Sequence, residues 1–330
     1  MTFGTEGEIM TTTSAGIHHV TAIASDPQRN LDFYAGTLGL RLVKRTVNFD
    51  DPQTYHLYFG DDAGSPGSIL TFFPWPGARR GRTGVGQTGA TAFAVPEGSL
   101  GWWIARLVSH GVEHDAPTRR FGQPVVAFRD PDGLPLELVA DPRAGERGTW
   151  DGGGVPAQHA IRGVHSVTLW LARTDATARV LTEALGFAHV ADEGDRSRYA
   201  AGGGGPGALV DLRVVDAGLR GAGGAGTVHH VAWRAATDAD EVALSRRVSA
   251  MGLQPTPVID RNYFNSVYFR EPGGVLFEIA TDPPGFTADE PAESLGEALK
   301  LPPQYEPRRA QIEAVLPPIH LPGAVPAKEA

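Results

Sequence analysis

Two histidine doublets and one glutamate carry the strongest chemical signal in the sequence. His18 and His19 lie near the N-terminus, whereas His229 and His230 lie far along the chain. Each doublet stands in a short apolar run that is typical of a β-strand. Glu278 lies in a later strand-like run that follows the second doublet. Because imidazole and carboxylate groups are metal ligands, these residues predict a metal site.

An internal repeat organises the chain around these residues. Each repeat opens with a strand-like run, continues with a helical pattern that a glycine ends, and closes with further strand-like runs. The four opening runs are residues 16–21, 89–94, 163–168 and 227–232. We therefore predict an α+β protein in which four βαβββ modules form two open, cup-shaped mixed sheets with the helices outside.

Alignment of the modules gives two columns of equivalent positions. The opening strands contribute His19, Ala92, Ser166 and His230. The closing strands contribute Thr71, Glu137, Asp211 and Glu278, of which Thr71 and Asp211 align loosely. If modules one and four share a cup, that cup holds two imidazoles and one carboxylate. A cup of modules two and three would have no imidazole in the first column.

The alternation of side chains along a strand indicates which histidine of each doublet is the ligand. Neighbouring residues on a strand point to opposite faces. Val20 and Val231 belong to an apolar column suited to packing against helices, so the alternate column should line the cup. This selects His19 and His230 as ligands, although a β-bulge would reverse the choice. His56 and His165 are interpreted as ordinary strand residues, and Glu137 as a paired or solvated carboxylate.

Two imidazoles and one carboxylate with open positions are the ligand set of non-haem Fe(II) oxygenases. A structural zinc site would close its fourth position, usually with cysteine, and this chain has Cys 0. The residues therefore predict Fe(II) on His19, His230 and Glu278.

Composition excludes several classes of protein. The 330 residues include Lys+Arg 29 and Asp+Glu 38, a formal net charge of −9, which argues against nucleic acid as a partner. The absence of cysteine excludes disulfides and cysteine-ligated iron–sulfur clusters. The first residues do not resemble an export signal, and no apolar run approaches the length of a membrane helix. We expect a cytoplasmic protein that has no membrane partner.

Glycine- and proline-rich segments suggest the domain boundaries. We expect a disordered N-terminal extension over 1–15, an N-terminal domain of modules one and two over 16–150, and a C-terminal domain of modules three and four over 151–282. Residues 283–330 form a proline-rich tail in which one short helix is expected near 308–315. This tail could wrap the body or reach a second subunit, which leaves a homo-oligomer open.

Taken together, these motifs resemble the glyoxalase/bleomycin-resistance/dioxygenase (vicinal oxygen chelate) superfamily over residues 16–282. Residues 16–23, 34–40, 227–231 and 261–278, together with the tail segment 301–306, are similar to bacterial ring-cleaving dioxygenases that act on hydroquinones. The resemblance implies Fe(II) on the two histidines and the glutamate, with an aromatic diol and O₂ as substrates. It also implies functional roles for Thr21, His229, Arg261, Tyr268 and His18.

The chemistry of these residue types fits such roles. Arg261 and Tyr268 could steady a phenolate oxygen. His229 could move the substrate proton, because the pKa of a free imidazole lies near neutrality.

Three other functions stay open at this point. A glyoxalase I-like lyase or isomerase would need a fourth protein ligand, which the cup of modules one and four does not offer. A catechol-type extradiol dioxygenase would use modules three and four, and Ser166 at the ligand position argues against it. A metal-free module that binds a drug would make the matched histidines and glutamate a coincidence.

Overall fold

The computed structural model describes residues 12–321. Sixteen strands account for most of the regular structure. In the first half of the chain they are β1 (Ile17–Ala24), β2 (Arg41–Asn48), β3 (Asp51–Gly60), β4 (Ile69–Pro74), β5 (Gln87–Pro96), β6 (Thr118–Arg120), β7 (Gln123–Arg129) and β8 (Pro135–Asp141). In the second half they are β9 (Val164–Leu171), β10 (Ala188–Glu193), β11 (Arg196–Ala200), β12 (Leu209–Val214), β13 (Thr227–Ala235), β14 (Ile259–Asp260), β15 (Phe264–Arg270) and β16 (Leu276–Pro284).

Each module contains one helical segment after its opening strand. The α-helices are α1 (Pro27–Leu31), α2 (Leu100–Ser109), α3 (Asp175–Arg179), α4 (Asp238–Ala250) and, in the tail, α5 (Arg309–Glu313). The turns Asp32–Thr37 and Val180–Ala184 continue α1 and α3 as π-helix. Gly111 and Gly252 follow α2 and α4 with φ of 68° and 81°. This left-handed conformation is common at the end of a helix and favours glycine. In the described residues, no helix is long and apolar enough to cross a bilayer.

The strands form two eight-stranded mixed sheets, so the predicted fold class is confirmed. One sheet has the order β14-β15-β16-β13-β1-β4-β3-β2, and the other has the order β10-β11-β12-β9-β5-β8-β7-β6. The first sheet thus joins modules four and one, and the second joins modules three and two. Each sheet takes strands from both halves of the chain, so the two sheets do not coincide with the domains predicted over 16–150 and 151–282. The division into these domains stays a prediction.

Strand register corrects the alignment of module two. In the first sheet, His19 of β1 pairs with Ala232 of β13. Thr168 of β9 is the residue equivalent to Ala232 in the second sheet, and it pairs with Ala90 of β5. Ala90, rather than Ala92, is therefore equivalent to His19. The alignment slipped by two residues, which leaves a side chain on the same face because strands have a period of two. The conclusion that module two offers no imidazole is unchanged.

The predicted N-terminal extension lies only partly within the described structure. Residues 1–11 lie outside it. In the remainder, Ser14 is buried and its backbone N–H donates to the carbonyl of Leu185. Residues 12–15 therefore pack against the body of the protein.

The tail wraps module one. The Tyr305 hydroxyl donates to the carbonyl of Phe49 at 2.7 Å, and the Tyr55 hydroxyl donates to that of Pro317 at 3.0 Å. Ile312, in α5, is buried in the main core, so the helix predicted near 308–315 anchors the tail.

A buried lysine fixes the start of the tail. Lys44, on β2, is fully buried, and its ammonium group lies 2.6 Å from Oδ1 of Asp289 and also contacts the carboxylate of Glu290. A buried charge is tolerated when it is paired, and removal of one partner leaves the others uncompensated.

We predict that Lys44→Met lowers the free energy of unfolding by about 3 kcal/mol, because Asp289 and Glu290 then lose their counter-ion. Urea unfolding at neutral pH measures this change. Arg246→Met, which removes an exposed cation on α4, is the control and should cost less than about 0.5 kcal/mol. Equal losses in the two variants would contradict the proposed anchoring role of Lys44.

Candidate metal centre

Three buried side chains meet at the centre of the first sheet. Nε2 of His230 lies 2.8 Å from Oε2 of Glu278, and Nε2 of His19 lies 3.3 Å from the same oxygen. The two Nε2 atoms are 3.3 Å apart. Within residues 12–321 these three form the cluster whose ligand atoms lie close enough together to hold a metal ion.

Strand pairing brings the three residues to one level of the sheet. Ala232, on β13, pairs with His19 of β1 on one side and with Glu278 of β16 on the other. His230 lies two residues before Ala232, on the same face. Register shifts occur on both sides of this level in β1, but they do not exchange His18 for His19.

The environment of Glu278 fits a metal ligand. Its Oε1 accepts a hydrogen bond from the Ser266 hydroxyl, whereas the buried Oε2 faces the Nε2 atoms of His19 and His230. Burial alone would raise the pKa of Glu278, but the imidazoles of His19 and His230 hold it well below its usual range. The carboxylate is therefore ionised, and its free oxygen points at both imidazoles. A divalent cation would complete this arrangement.

The other histidine of each doublet contacts the far side of the predicted ligand. Nδ1 of His18 lies 2.9 Å from Nδ1 of His19, and Nδ1 of His229 lies 2.8 Å from Nδ1 of His230. Burial, followed by the nearby His19, lowers the pKa of His18 to about 3, so this imidazole is neutral. Contacts of this kind fix the tautomer of a ligating imidazole and leave its Nε2 free for the metal.

The two supporting histidines differ in their access to solvent. His18 is buried behind His19, where its ring packs edge-on against Phe264 at 5.1 Å. The His229 side chain is exposed and borders a cavity of about 260 Å³ that Arg270 also lines. His18 is thus placed to position its neighbour. Burial, followed by the nearby His230, lowers the pKa of His229 to about 4, so this imidazole is neutral and not near its usual pKa.

Arg261 and Tyr268 lie together on the module-four side of the centre. Arg261 Nε donates to the Tyr268 hydroxyl at 3.3 Å, and Nη2 lies 3.2 Å from Oδ2 of Asp50. Tyr268 pairs with Glu278 across β15 and β16, and its ring lies 5.6 Å from that of His230. Burial and the charge of Glu278 raise the pKa of Tyr268, so its hydroxyl keeps its proton.

Sequence reasoning missed His56 and Tyr58 on the module-one side of the centre. Thr71 occupies the position equivalent to Glu278, and its Oγ1 lies 2.9 Å from Oγ1 of Thr21 and 2.8 Å from Nε2 of His56. Nδ1 of His56 lies 2.9 Å from the Tyr58 hydroxyl. From the sequence, His56 is interpreted as an ordinary strand residue, whereas the structure joins it to Thr71. The spacing of His56 and Tyr58 on one strand face was the available signal.

In the second sheet, ion pairs occupy the central positions that correspond to the metal cluster of the first sheet. Arg120 binds Glu137 through two bonds of 2.5 and 2.8 Å, and Arg198 binds Asp211 through bonds of 2.7 and 3.0 Å. Of the two states expected for Glu137, paired or solvated, the structure shows the paired one. Each of these buried carboxylates is neutralised by a guanidinium group, whereas Glu278 faces two imidazoles.

A cavity of about 790 Å³ also borders the second sheet, and its lining includes Ala90, Trp170 and Arg196. It lacks the convergent ligand atoms of the first sheet. Ligand chemistry, rather than cavity size, therefore places the candidate site on the first sheet.

Comparison with known proteins agrees with this architecture. The family described as "Glyoxalase/Bleomycin resistance protein/Dioxygenase superfamily" matches residues 16–138 and 163–279. The chain therefore belongs to this superfamily, as the repeat and the histidine motifs predicted. Glyoxalase I of Zea mays, at 16% identity and a TM-score of 0.58 over 81% of this chain and 92% of its own, shares the fold.

More similar relatives come from bacteria. A Bacillus subtilis (strain 168) protein named "Putative ring-cleaving dioxygenase MhqO" is 52% identical over 93% of this chain and 97% of its own length. A crystal structure of a B. subtilis protein described as a "putative dioxygenase" has a TM-score of 0.90 at 52% identity, over 94% of this chain and 99% of its own. A Sphingobium indicum protein named "Chlorohydroquinone/hydroquinone 1,2-dioxygenase" is 38% identical over 88% of this chain and 92% of its own length.

We predict that the chain binds one divalent ion and that Glu278→Gln weakens binding at least about 100-fold, because the uncharged amide cannot replace the ionised oxygen. Anaerobic titration with Fe(II), followed by metal analysis, measures stoichiometry and affinity. Glu137→Gln, at the equivalent position of the second sheet, is the matched control and should bind one ion. If Glu137→Gln lost the ion and Glu278→Gln kept it, the assignment to the first sheet would be wrong.

The hydrogen bond from Ser266 to Glu278 should tune this affinity. We predict that Ser266→Ala weakens metal binding about tenfold, since loss of an outer hydrogen bond frees the carboxylate to rotate. The same titration measures the effect, and Ser109→Ala, on the exposed side of α2, serves as control. Unchanged affinity in Ser266→Ala would show that the carboxylate is held by other contacts.

Proposed function

We propose that this protein is an Fe(II)-dependent ring-cleaving dioxygenase that inserts O₂ into a hydroquinone-type aromatic diol. Two kinds of evidence support the proposal: the superfamily includes dioxygenases, and relatives with 52% and 38% identity are named for ring cleavage and hydroquinone. We further propose that His19, His230 and Glu278 are the iron ligands.

The observation that carries the proposal is the number of ligands. Three protein groups converge, and the fourth equivalent position is Thr71, whose hydroxyl is engaged with Thr21 and His56. A site with three protein ligands leaves positions for two substrates, as a dioxygenase requires. A glyoxalase-type site would place a fourth protein ligand there. When bound, Fe(II) would supply open positions for a diol and O₂ and a path for electrons from the diol to O₂.

Arg261 and Tyr268 would bind the diol. The guanidinium group supplies positive charge beside the centre, and the protonated Tyr268 hydroxyl supplies a donor. Both would stabilise the negative charge of a phenolate oxygen, an effect that is strong where water is excluded. Asp50 holds the guanidinium from its outer side and so orients it toward the diol.

His229 would handle the substrate proton. A diol hydroxyl loses a proton as it binds, and the exposed His229 imidazole lies next to His230, between the centre and the solvent. Such a group can accept a proton and release it to water. His18 and Thr21 complete the surroundings, the first behind His19 and the second beside His230.

The experiment is anaerobic loading with Fe(II), followed by measurement of O₂ uptake with hydroquinone, methylhydroquinone and catechol. We predict rapid uptake with the two para-diols, slower uptake with catechol and a ring-opened product detected by mass spectrometry. Arg261→Met should lower kcat/KM about 100-fold, because it removes a charge-assisted hydrogen bond to the diol.

Two controls accompany this measurement. Arg246→Met, far from the centre, should retain full activity. Turnover of the methylglyoxal–glutathione adduct without O₂ uptake for any diol would favour a lyase or isomerase and would overturn the proposal.

A further inference from the structure

Four side chains of module one form a continuous hydrogen-bonded chain that ends beside the candidate metal centre. The chain runs from the Tyr58 hydroxyl to Nδ1 of His56 at 2.9 Å, and from Nε2 of His56 to Oγ1 of Thr71 at 2.8 Å. It ends with the 2.9 Å contact between Oγ1 of Thr71 and Oγ1 of Thr21. Thr21 is the cross-strand partner of His230.

Tyr58 determines the direction of the first bond. Its side chain is 1% exposed, so its hydroxyl proton needs an acceptor inside the protein. Within residues 12–321, the hydrogen bond that this hydroxyl makes is the one to Nδ1 of His56. Burial raises the pKa of Tyr58 well above its usual value, so the proton stays on the phenol. Tyr58 is therefore the donor, and Nδ1 of His56 is the acceptor.

The protonation state of His56 determines the direction of the second hydrogen bond, to Thr71. Burial, followed by the nearby imidazoles of His19 and His230, lowers the pKa of His56 well below its usual value, so the ring is neutral. A neutral imidazole has one N–H group. Because Nδ1 accepts, the proton lies on Nε2 and is donated to Oγ1 of Thr71.

Each hydroxyl in the remainder of the chain has one proton to donate. The contact between Thr71 and Thr21 uses one of their two protons. We assign that proton to Thr71, because this gives an acceptor to the hydroxyl inside the chain and leaves the remaining proton on Thr21, at the end of the chain. Thr21 accepts in turn, and its own proton is left without an acceptor among the described side chains. Thr21 lies two residues after His19 on β1, on the same strand face. The free proton therefore lies on the face of the sheet that holds the metal cluster.

We propose that Tyr58, His56 and Thr71 are positioning residues that keep the Thr21 hydroxyl as a donor to an oxygen of the bound diol. The proposal rests on the proposed function, since it takes the aromatic diol as the ligand. The opposite direction would commit the proton of Thr21 to Thr71 and would leave the diol facing a lone pair. The Thr21 hydroxyl thus supplies a hydrogen-bond donor on the module-one side of the centre. Arg261 and Tyr268 supply donors on the module-four side.

The tautomer of His56 tests the direction without activity or metal. We expect nitrogen NMR of histidine-labelled, metal-free protein to show the proton of His56 on Nε2, with His56→Leu identifying the signal. In Tyr58→Phe, Nδ1 of His56 no longer accepts a hydrogen bond from the phenol. The His56 nitrogen signals should then shift toward those of a mixture of the two tautomers. In Tyr55→Phe, a matched change on the same strand, the proton should stay on Nε2. A proton on Nδ1 of His56 in the unsubstituted protein would overturn the proposal.

Kinetics and diol binding test the consequence. Tyr58→Phe and His56→Leu should keep Fe(II) affinity within about threefold and lower kcat/KM for the diol about tenfold, the usual scale for a lost hydrogen bond to a charged group. His56→Gln, whose amide can accept from Tyr58 and donate to Thr71, should recover most of the loss. Tyr55→Phe should match the unsubstituted protein. Full activity in both Tyr58→Phe and His56→Leu would overturn the proposal.

The outcomes separate this inference from the proposed function. Ring cleavage together with a proton on Nδ1 of His56 leaves the function in place and rejects the chain. For the case in which no diol is cleaved, calorimetry with hydroquinone supplies the second readout. Tenfold weaker binding in Thr21→Val and Tyr58→Phe than in Tyr55→Phe supports the chain, and equal binding in all three rejects it.

Discussion

The structure depends on one buried carboxylate that faces two buried imidazoles. Glu278 is fully buried and ionised, and its Oε2 lies between Nε2 of His19 and Nε2 of His230. An ionised group in such a place is stable only with compensating charge or hydrogen bonds. The compensation comes from strands at opposite ends of the chain, so β1 and β13 have to pair before the site exists.

The two sheets have the same architecture but stabilise their buried central carboxylates with different groups. The closing strands of the first sheet place Glu278 and Thr71 at the centre, whereas those of the second sheet place Glu137 and Asp211 there, and both of these pair with arginines. A guanidinium group satisfies both oxygens of a carboxylate and leaves neither for a cation. Imidazoles in the first sheet leave a carboxylate oxygen free. The two sheets thus share one scaffold, and the residues at a few central positions differ in whether they leave a carboxylate oxygen for a metal.

The surroundings of the centre divide between the two modules that build it. Module four contributes Arg261 and Tyr268, which supply charge and a donor, whereas module one contributes the chain from Tyr58 to Thr21. The tail closes the outer side of module one, and its Phe286 ring packs edge-on against Tyr58 at 5.0 Å. Anchoring of the tail by Lys44 therefore also supports the first residue of that chain.

The sequence by itself determined the module, its fourfold repetition, the fold class and the three residues of the candidate centre, because strand alternation and matched histidine doublets are local patterns. It did not determine strand register, so Ala92 was aligned where Ala90 lies: a slip of two residues leaves a side chain on the same face. Only the tertiary structure decided that His56 joins the site and that Glu137 is neutralised, since both depend on neighbours distant in sequence. Contacts between strands, unlike periodicity within one, have no signature in a single sequence.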